Sequence, residues 1–173
     1  MAQLFFEYGA MSSGKSIEIL KVAHNYESQG RQVLLMTPIT DTRAGIGVVA
    51  SRIGLSREAL AVKPADDLYV LIKSMTGDDL AVILVDEAQF LTPEQVDQLA
   101  YTVDNLHIPV MAFGLKQDAF NNLFAGSKRL IELADKLEEM KTICSFCGKK
   151  ATTQLRIAVS YTHLRAHETE LHL

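Results

Sequence analysis

The chain has 173 residues, 48% of them hydrophobic and 22% charged, which is enough apolar material for one ordinary core with at most a small appendage. Its net charge of −4 at pH 7 argues against a broad electrostatic grip on nucleic acid, whose phosphates demand a basic face. No apolar run of about eighteen residues and no basic-then-apolar leader occurs, so neither a membrane span nor a secretory signal is expected, and the cytoplasm is the expected compartment.

In chain order, Leu4 to Tyr8 reads as a short buried strand, and Lys15 to Gln29 places Ile19, Leu20, Ala23 and Tyr26 at helical spacing before Gly30 stops the helix. Gln32 to Thr37 is a second buried strand closed by Pro38. The polar, glycine-punctuated stretch from Thr40 to Ser56 keeps no steady period and is expected to be a mobile loop. Asp66 to Met75 puts Leu68, Leu71 and Ile72 on one helical face, and Leu80 to Val85 is the strongest strand signal in the chain. Thr92-Pro93-Glu94 marks a capped helix start, followed by Val96, Leu99, Ala100 and Val103. Pro109 to Leu115 predicts a further strand and Ser127 to Leu137 a further amphipathic helix. Strand and helix alternate throughout, which implies an α/β fold: a parallel sheet with helices on both faces.

The sharpest chemical signal lies between the first strand and the first helix. Gly9-Ala10-Met11-Ser12-Ser13-Gly14-Lys15-Ser16 spells a phosphate-binding loop in the strand-to-helix setting that such a loop requires. Backbone N–H groups of residues 12–16 converge there on a polyphosphate, helped by the positive end of the helix dipole, while Gly9 and Gly14 allow the turn without a Cβ clash. Lys15 is expected to reach the β and γ phosphates and the Ser16 hydroxyl to ligate Mg²⁺. A chance glycine loop is the plain alternative, and the full spelling in this context speaks against it.

A second signal closes the central strand, where an apolar run ends in Asp86 and Glu87. That placement puts Asp86 near the phosphate loop, suited to the Mg²⁺ shell, and leaves Glu87 at the carboxyl edge of the sheet, where ligands bind in such folds. Glu87 suits deprotonation of an acceptor hydroxyl, as in a kinase, and equally the orienting of a water, as in an ATPase. Two acids capping a strand is the purely structural alternative. The two cysteines, Cys144 and Cys147, have the spacing of a metal or redox pair rather than of a disulfide framework.

These motifs occur together and in order: the phosphate loop with Met11 inside it, Asp41-Thr42-Arg43, Asp86-Glu87-Ala88-Gln89-Phe90, Phe113-Gly114-Leu115 and Cys144-x-x-Cys147. In this the chain resembles the cellular-type (type II) thymidine kinases, bacterial ones above all, from Met1 to about Ile157. The resemblance implies a P-loop domain over residues 1–140, an incomplete zinc-ribbon-like appendage over residues 141–158, and transfer of the ATP γ-phosphate to the 5′-hydroxyl of thymidine or deoxyuridine in pyrimidine deoxynucleoside salvage. It further implies a cytosolic homotetramer acting on small molecules, with no nucleic-acid or membrane partner. By the same resemblance Glu87 is the base, and Lys15 and Ser16 are the phosphate-loop lysine and Mg²⁺-binding hydroxyl. Arg43 neutralises phosphate charge with Asp41 beside it near the metal, Phe90 and Leu115 wall the base, and Met11 lies near the thymine methyl group. Cys144 and Cys147 form one knuckle of a structural zinc site. Without the resemblance, a lone Phe, Leu or Met is more often core.

Two departures accompany the resemblance. Where the family has a phenylalanine four residues after its wall leucine this chain has Ala119, with Phe120 next in line and Phe124 at the later aromatic position. The second zinc-ligand pair and the glycine-rich lasso that grips the base, both expected after Ile157, do not follow; residues 159–173 read as an unrelated tail, and weak or absent catalysis is the expectation for that reason. Cys144-x-x-Cys147 followed by His163-x-x-x-His167 satisfies a loose zinc-finger spacing, but Lys149 to Arg156 reads as a strand, so the histidine pair is taken as accidental. His24 and His107 show no partner pattern. Two other classes stand beside the kinase: a nucleic-acid-stimulated ATPase, because Asp86-Glu87-Ala88-Gln89 spells a helicase-like box, and a non-catalytic zinc-binding module, in which the phosphate loop would be superfluous.

Overall fold

A computed structural model of the chain describes residues 1–11, 13–39, 47–156 and 168–171, with 154–156 and 168–171 described by their backbone alone. In chain order the elements are β1 (Leu4–Gly9), α1 (Lys15–Glu27), β2 (Gln32–Pro38), β3 (Val48–Ala50), β4 (Ser56–Glu58), β5 (Leu60–Val62) and α2 (Leu68–Met75). There follow β6 (Leu80–Val85), a 3₁₀ turn (Ala88–Phe90), α3 (Pro93–Leu106), β7 (Val110–Gly114), α4 (Ala125–Leu133), β8 (Lys136–Met140), β9 (Thr142–Ile143), β10 (Lys150–Ala151), β11 (Thr153–Arg156) and β12 (Glu168–Leu171).

Six strands form one sheet in the order β5-β2-β6-β7-β1-β8, with every pairing parallel. Parallel neighbours need crossovers, and helices supply them, which is why the central strands are apolar on both faces. One face packs Leu4, Phe6, Met36, Ile83, Val85 and Ala112 against Leu68 and Ile72 of α2, Val96 and Leu99 of α3 and Leu130 of α4. The other packs Leu35, Val82, Leu84 and Phe113 against Ile19 and Ala23 of α1. Burying each such side chain contributes on the order of 2 kcal/mol, so the two clusters hold the sheet between its helical layers.

The strong sequence signals land where their chemistry dictates. Thr92 caps α3 by accepting from Gln95 N at 3.1 Å while Gln95 Oε1 accepts from Thr92 N at 3.1 Å, a reciprocal capping box with Pro93 in the first turn. Asp67 caps α2 through its bond from Val70 N.

Three expectations need correction. The stretch from Thr40 to Ser56 is not wholly a loop: β3 and β4 pair antiparallel, Val49 is buried beneath α1, and the Arg57 guanidinium reaches both carboxylate oxygens of Glu27 on α1. A three-residue strand with one buried side chain is too short for its alternation to register as a period. The last helix stops at Leu133 rather than Leu137, because Leu137 belongs to β8, which runs parallel beside β1. Its sequence, Lys-Leu-Glu-Glu-Met, carries no β propensity, and pairing at the sheet edge overrides that. The strand expected across Lys149 to Arg156 is broken into β10 and β11, and β11 pairs with β12, within residues that sequence reading left outside the fold.

Candidate active site

All six parallel strands point their carboxyl ends to one edge, and β1 and β6 carry the two chemical motifs there. With only β7 between them, their ends lie about 10 Å apart, two strand spacings.

At the end of β1, a Cβ on Gly9 would lie 2.5 Å from Ser13 Oγ and 2.8 Å from the Met140 carbonyl of β8, so glycine is needed there for space. Gly14 is needed for a different reason: it caps α1 with φ 83° in the left-handed region, with nothing within 4 Å. Among the described residues no side chain caps α1, whose N-terminus follows directly on the loop. The Lys15 ammonium donates to Ala10 O at 2.8 Å, Ser13 Oγ at 3.0 Å and Gly9 O at 3.4 Å, so its charge sits inside the loop's own curve. Ser16 falls in the first turn of α1, and Met11 is half-buried beside the loop. Ser12, Asp41 and Arg43 lie outside the described residues.

At the end of β6, Asp86 N donates to Met36 O at 2.9 Å, and Asp86 Oδ1 accepts from Glu87 N at 2.9 Å. Glu87 is only 5% exposed and adopts φ 50°, ψ 40°. A left-handed glutamate costs on the order of 1 kcal/mol, and such strain concentrates at working sites. The turn aims its carboxylate at Gln89, whose Nε2 donates to Glu87 Oε2 at 2.5 Å.

Phe90 and Phe124 meet edge to face at 5.7 Å with Phe90 still 41% exposed, an aromatic wall beside Glu87. Leu115 follows β7, its N–H donating to Gln89 Oε1 at 3.1 Å and its carbonyl accepting from Ser127 Oγ at 2.5 Å. Phe120 is 70% exposed on the next turn and does not join the ring pair. Sequence reading named residues of both groups but gave no role to Gln89, Ser127, Gly114 and Gly126, which connect them through hydrogen bonds and close backbone approach. The signal available was glycine at 114 and 126: a Cβ on Gly114 would lie 2.6 Å from Gln89 Oε1, and one on Gly126 2.5 Å from Leu91 O.

Cys144 is buried against Ala10 of the phosphate loop and Ala151, its sulfur accepting from Phe146 N at 3.4 Å, and Cys147 is exposed. The zinc knuckle expected at this cysteine pair is not matched by a ligand set: among the described residues no group of three or more His, Cys, Asp or Glu side chains converges. His163 and His167 lie outside the described residues. One carboxyl near the site is displaced in its titration: Glu7 on β1 is pushed up to about 7, first by burial and then by the nearby charges of Glu138 and Glu18. A cavity of about 410 Å³ lies at the opposite, amino-terminal end of the strands, lined by Phe5, Tyr26, Arg31, His107 and Met111 among others, and holds none of the site residues. Among the described residues, no helix is long and apolar enough to cross a membrane.

The family model described as thymidine kinase matches residues 2–171. A thymidine kinase of Lactobacillus acidophilus is 58% identical over 164 residues, covering 91% of this chain and 82% of its own. Relatives of the same description from Streptococcus pyogenes and Lactococcus lactis are 56% and 58% identical, over 91% and 90% of this chain and 82% of theirs. A Candida albicans helicase structure overlays 82% of this chain and 36% of its own with a TM-score of 0.46 and 16% identity, too loose a likeness to bear on fold or function. With its phosphate loop, paired acids and aromatic wall at one sheet edge, and with this degree of identity across nearly its whole length, the chain belongs to the thymidine kinase family.

Proposed function

We propose that the chain transfers the γ-phosphoryl group of ATP to the 5′-hydroxyl of thymidine, with Glu87 accepting the hydroxyl proton. One observation carries the residue assignment: a buried, strained carboxylate and a phosphate loop stand at the same sheet edge, two strand spacings apart. Phosphoryl transfer asks little covalent chemistry of the protein and much positioning, and each part has a candidate here. The loop from Gly9 to Ser16 cradles the polyphosphate with backbone N–H groups and the Lys15 ammonium, with Arg43 adding charge. Phe90, Phe124, Leu115, Met11 and Phe120 are the apolar residues offered to the base. Proton removal at the 5′-oxygen falls to Glu87, which the Asp86 and Gln89 hydrogen bonds hold in place.

The donor set suits a Mg²⁺ ion: the Ser16 hydroxyl and the Asp86 carboxylate are hard oxygen ligands at the same sheet edge, with Asp41 as a third candidate. When bound, the ion neutralises charge on the transferring phosphate. For zinc the described residues supply only Cys144 and Cys147, half of a tetrahedral set, so the knuckle is a partial fit and no step depends on it. Cytoplasmic salvage and homotetrameric assembly follow from the family resemblance, and the net charge of −4 supports a small-molecule substrate over nucleic acid.

The test is product formation by the chain itself with ATP and either thymidine or DNA. Thymidine-dependent release of ADP and thymidine monophosphate above the ATP-only background is expected, even if slow as anticipated from the sequence, with Glu87→Gln lowering it by up to about a hundredfold while ATP binding persists. Phosphate release that rises with DNA and ignores thymidine would overturn the reading.

A further inference from the structure

We propose that Gln89 is a positioning residue, its carboxamide tying the carboxylate of Glu87 to the Leu115 peptide so that the proton acceptor and the nucleoside wall share one fixed geometry. The inference rests on the reading of Glu87 as the base and adds a role for a residue that neither motif assigns.

The argument starts from burial. Gln89 is 3% exposed, and a carboxamide taken out of water must have its donors and acceptor met or it costs the fold dearly. Its two ends are met by two different parts of the site. Nε2 donates to Glu87 Oε2 at 2.5 Å, a short bond to a carboxylate acceptor, and Oε1 accepts from Leu115 N at 3.1 Å. The Leu115 carbonyl in turn accepts from Ser127 Oγ at 2.5 Å, and Ser127 is fully buried at the start of α4. One continuous chain of bonds therefore runs from β6 through the 3₁₀ turn to β7 and α4.

The surrounding backbone is shaped around this amide. A Cβ on Gly114 would sit 2.6 Å from Gln89 Oε1 and 3.0 Å from Gln89 N, so only glycine leaves the carboxamide its place. Glu87 occupies the left-handed region, from which an unrestrained side chain would sample several rotamers. A rigid donor removes that freedom, and a misplacement of about 1 Å in a reacting group costs up to a hundredfold in rate. A packing role alone would ask only for volume, which methionine or leucine also provides.

The two ends of the amide are separable by substitution. Gln89→Met keeps the volume and loses both bonds; Gln89→Glu keeps an acceptor for Leu115 N but replaces the donor to Glu87 with a second carboxylate. Steady-state kinetics and calorimetric thymidine binding are measured on the folded chain, with thermal melts confirming that each variant is native. Gln89→Glu is expected to lower kcat roughly ten- to a hundredfold with KM and thymidine affinity within about twofold of the parent. Gln89→Met is expected to lower kcat similarly and also to weaken thymidine binding several-fold, because Leu115 N loses its acceptor. Both variants turning over within about twofold of the parent would overturn the proposal. So would identical thymidine affinity in parent and Gln89→Met, which needs no turnover to be seen. Glu87→Gln is run beside them: full activity there would instead remove the base assignment, leaving the Leu115 end of the proposal to stand or fall on the binding data.

Discussion

Replacing Gly9 with alanine tests the phosphate loop at its most crowded point. The added methyl carbon would approach Ser13 Oγ to 2.5 Å and the Met140 carbonyl to 2.8 Å. The serine can rotate, at the cost of its bond from the Lys15 ammonium, 3.0 Å in the parent. The carbonyl cannot, because Met140 is the β8 residue paired with Gly9 at the end of the sheet. Relieving a carbon–oxygen contact to an ordinary separation needs β1 and β8 to part by about 0.5 Å, which weakens a ladder bond worth about 1 kcal/mol and adds overpacking of about 1–2 kcal/mol. A loss of about 2–3 kcal/mol lowers the melting temperature by about 5–10 °C in a chain of this size. The strain also falls on the residue that begins the polyphosphate cradle, so ATP affinity should drop roughly tenfold or more. Gly54→Ala is the control: φ is 92° with open space around it, so it costs about 1 kcal/mol of backbone strain and leaves ATP binding alone. The readouts are a thermal melt and titration with a fluorescent ATP analogue. Gly9→Ala melting no lower than the control and binding ATP within twofold of the parent would refute the steric argument.

Three further predictions probe other parts of the structure. Glu7 holds its proton to about pH 7 in the fold and to about 4.5 when unfolded, so the folded chain binds the extra proton between those values and its stability falls as pH rises through that window. Glu7→Gln should therefore raise the melting temperature by a few degrees at pH 8, about 1–2 kcal/mol after allowance for solvent screening, and by little at pH 4.5; an equal gain at both pH values would sink the assignment. Thr92→Ala removes the hydroxyl of the α3 capping box and should cost about 1 kcal/mol by denaturant titration, with thymidine affinity unchanged. Gly126→Ala would place a methyl 2.5 Å from Leu91 O and 3.0 Å from the carbonyls of Ala88 and Gln89, all backbone, forcing α4 off the 3₁₀ turn. A loss of about 2–3 kcal/mol is expected, together with weaker thymidine binding because Phe90 and Phe124 ride on the two elements being separated.

Local chemistry made much of this architecture readable in advance. The apolar run Leu80–Val85 is the central strand β6 at its expected bounds, and Thr92 with Pro93 starts α3 as threonine and proline do in any such setting. β5 and β8 were not readable, since strands of three and five residues at the sheet edges owe their existence to the partner they lie against. The expectation of a loop through Ser56 failed for a related reason: Val49 is buried by α1, a contact between residues far apart in the chain.

Within the site the same division holds. Gly9, Gly14, Lys15, Ser16, Asp86 and Glu87 stand out in the sequence because a phosphate-loop spelling and a strand-end pair of acids are recognisable from residue type and spacing alone, whatever surrounds them. Gln89 and Gly114 stand inside recognisable motifs and Ser127 and Gly126 in none, but no role can be read for any of the four, for a buried amide or a glycine has meaning only in the company it keeps. Sequence by itself determined which chemistry the chain carries and the alternation that builds a parallel sheet. Tertiary structure alone decided that β7 lies between the two motif strands and that one glutamine spans from acid to wall, because the strand order and the Gln89–Leu115 bond join residues far apart in the chain and no local pattern records them.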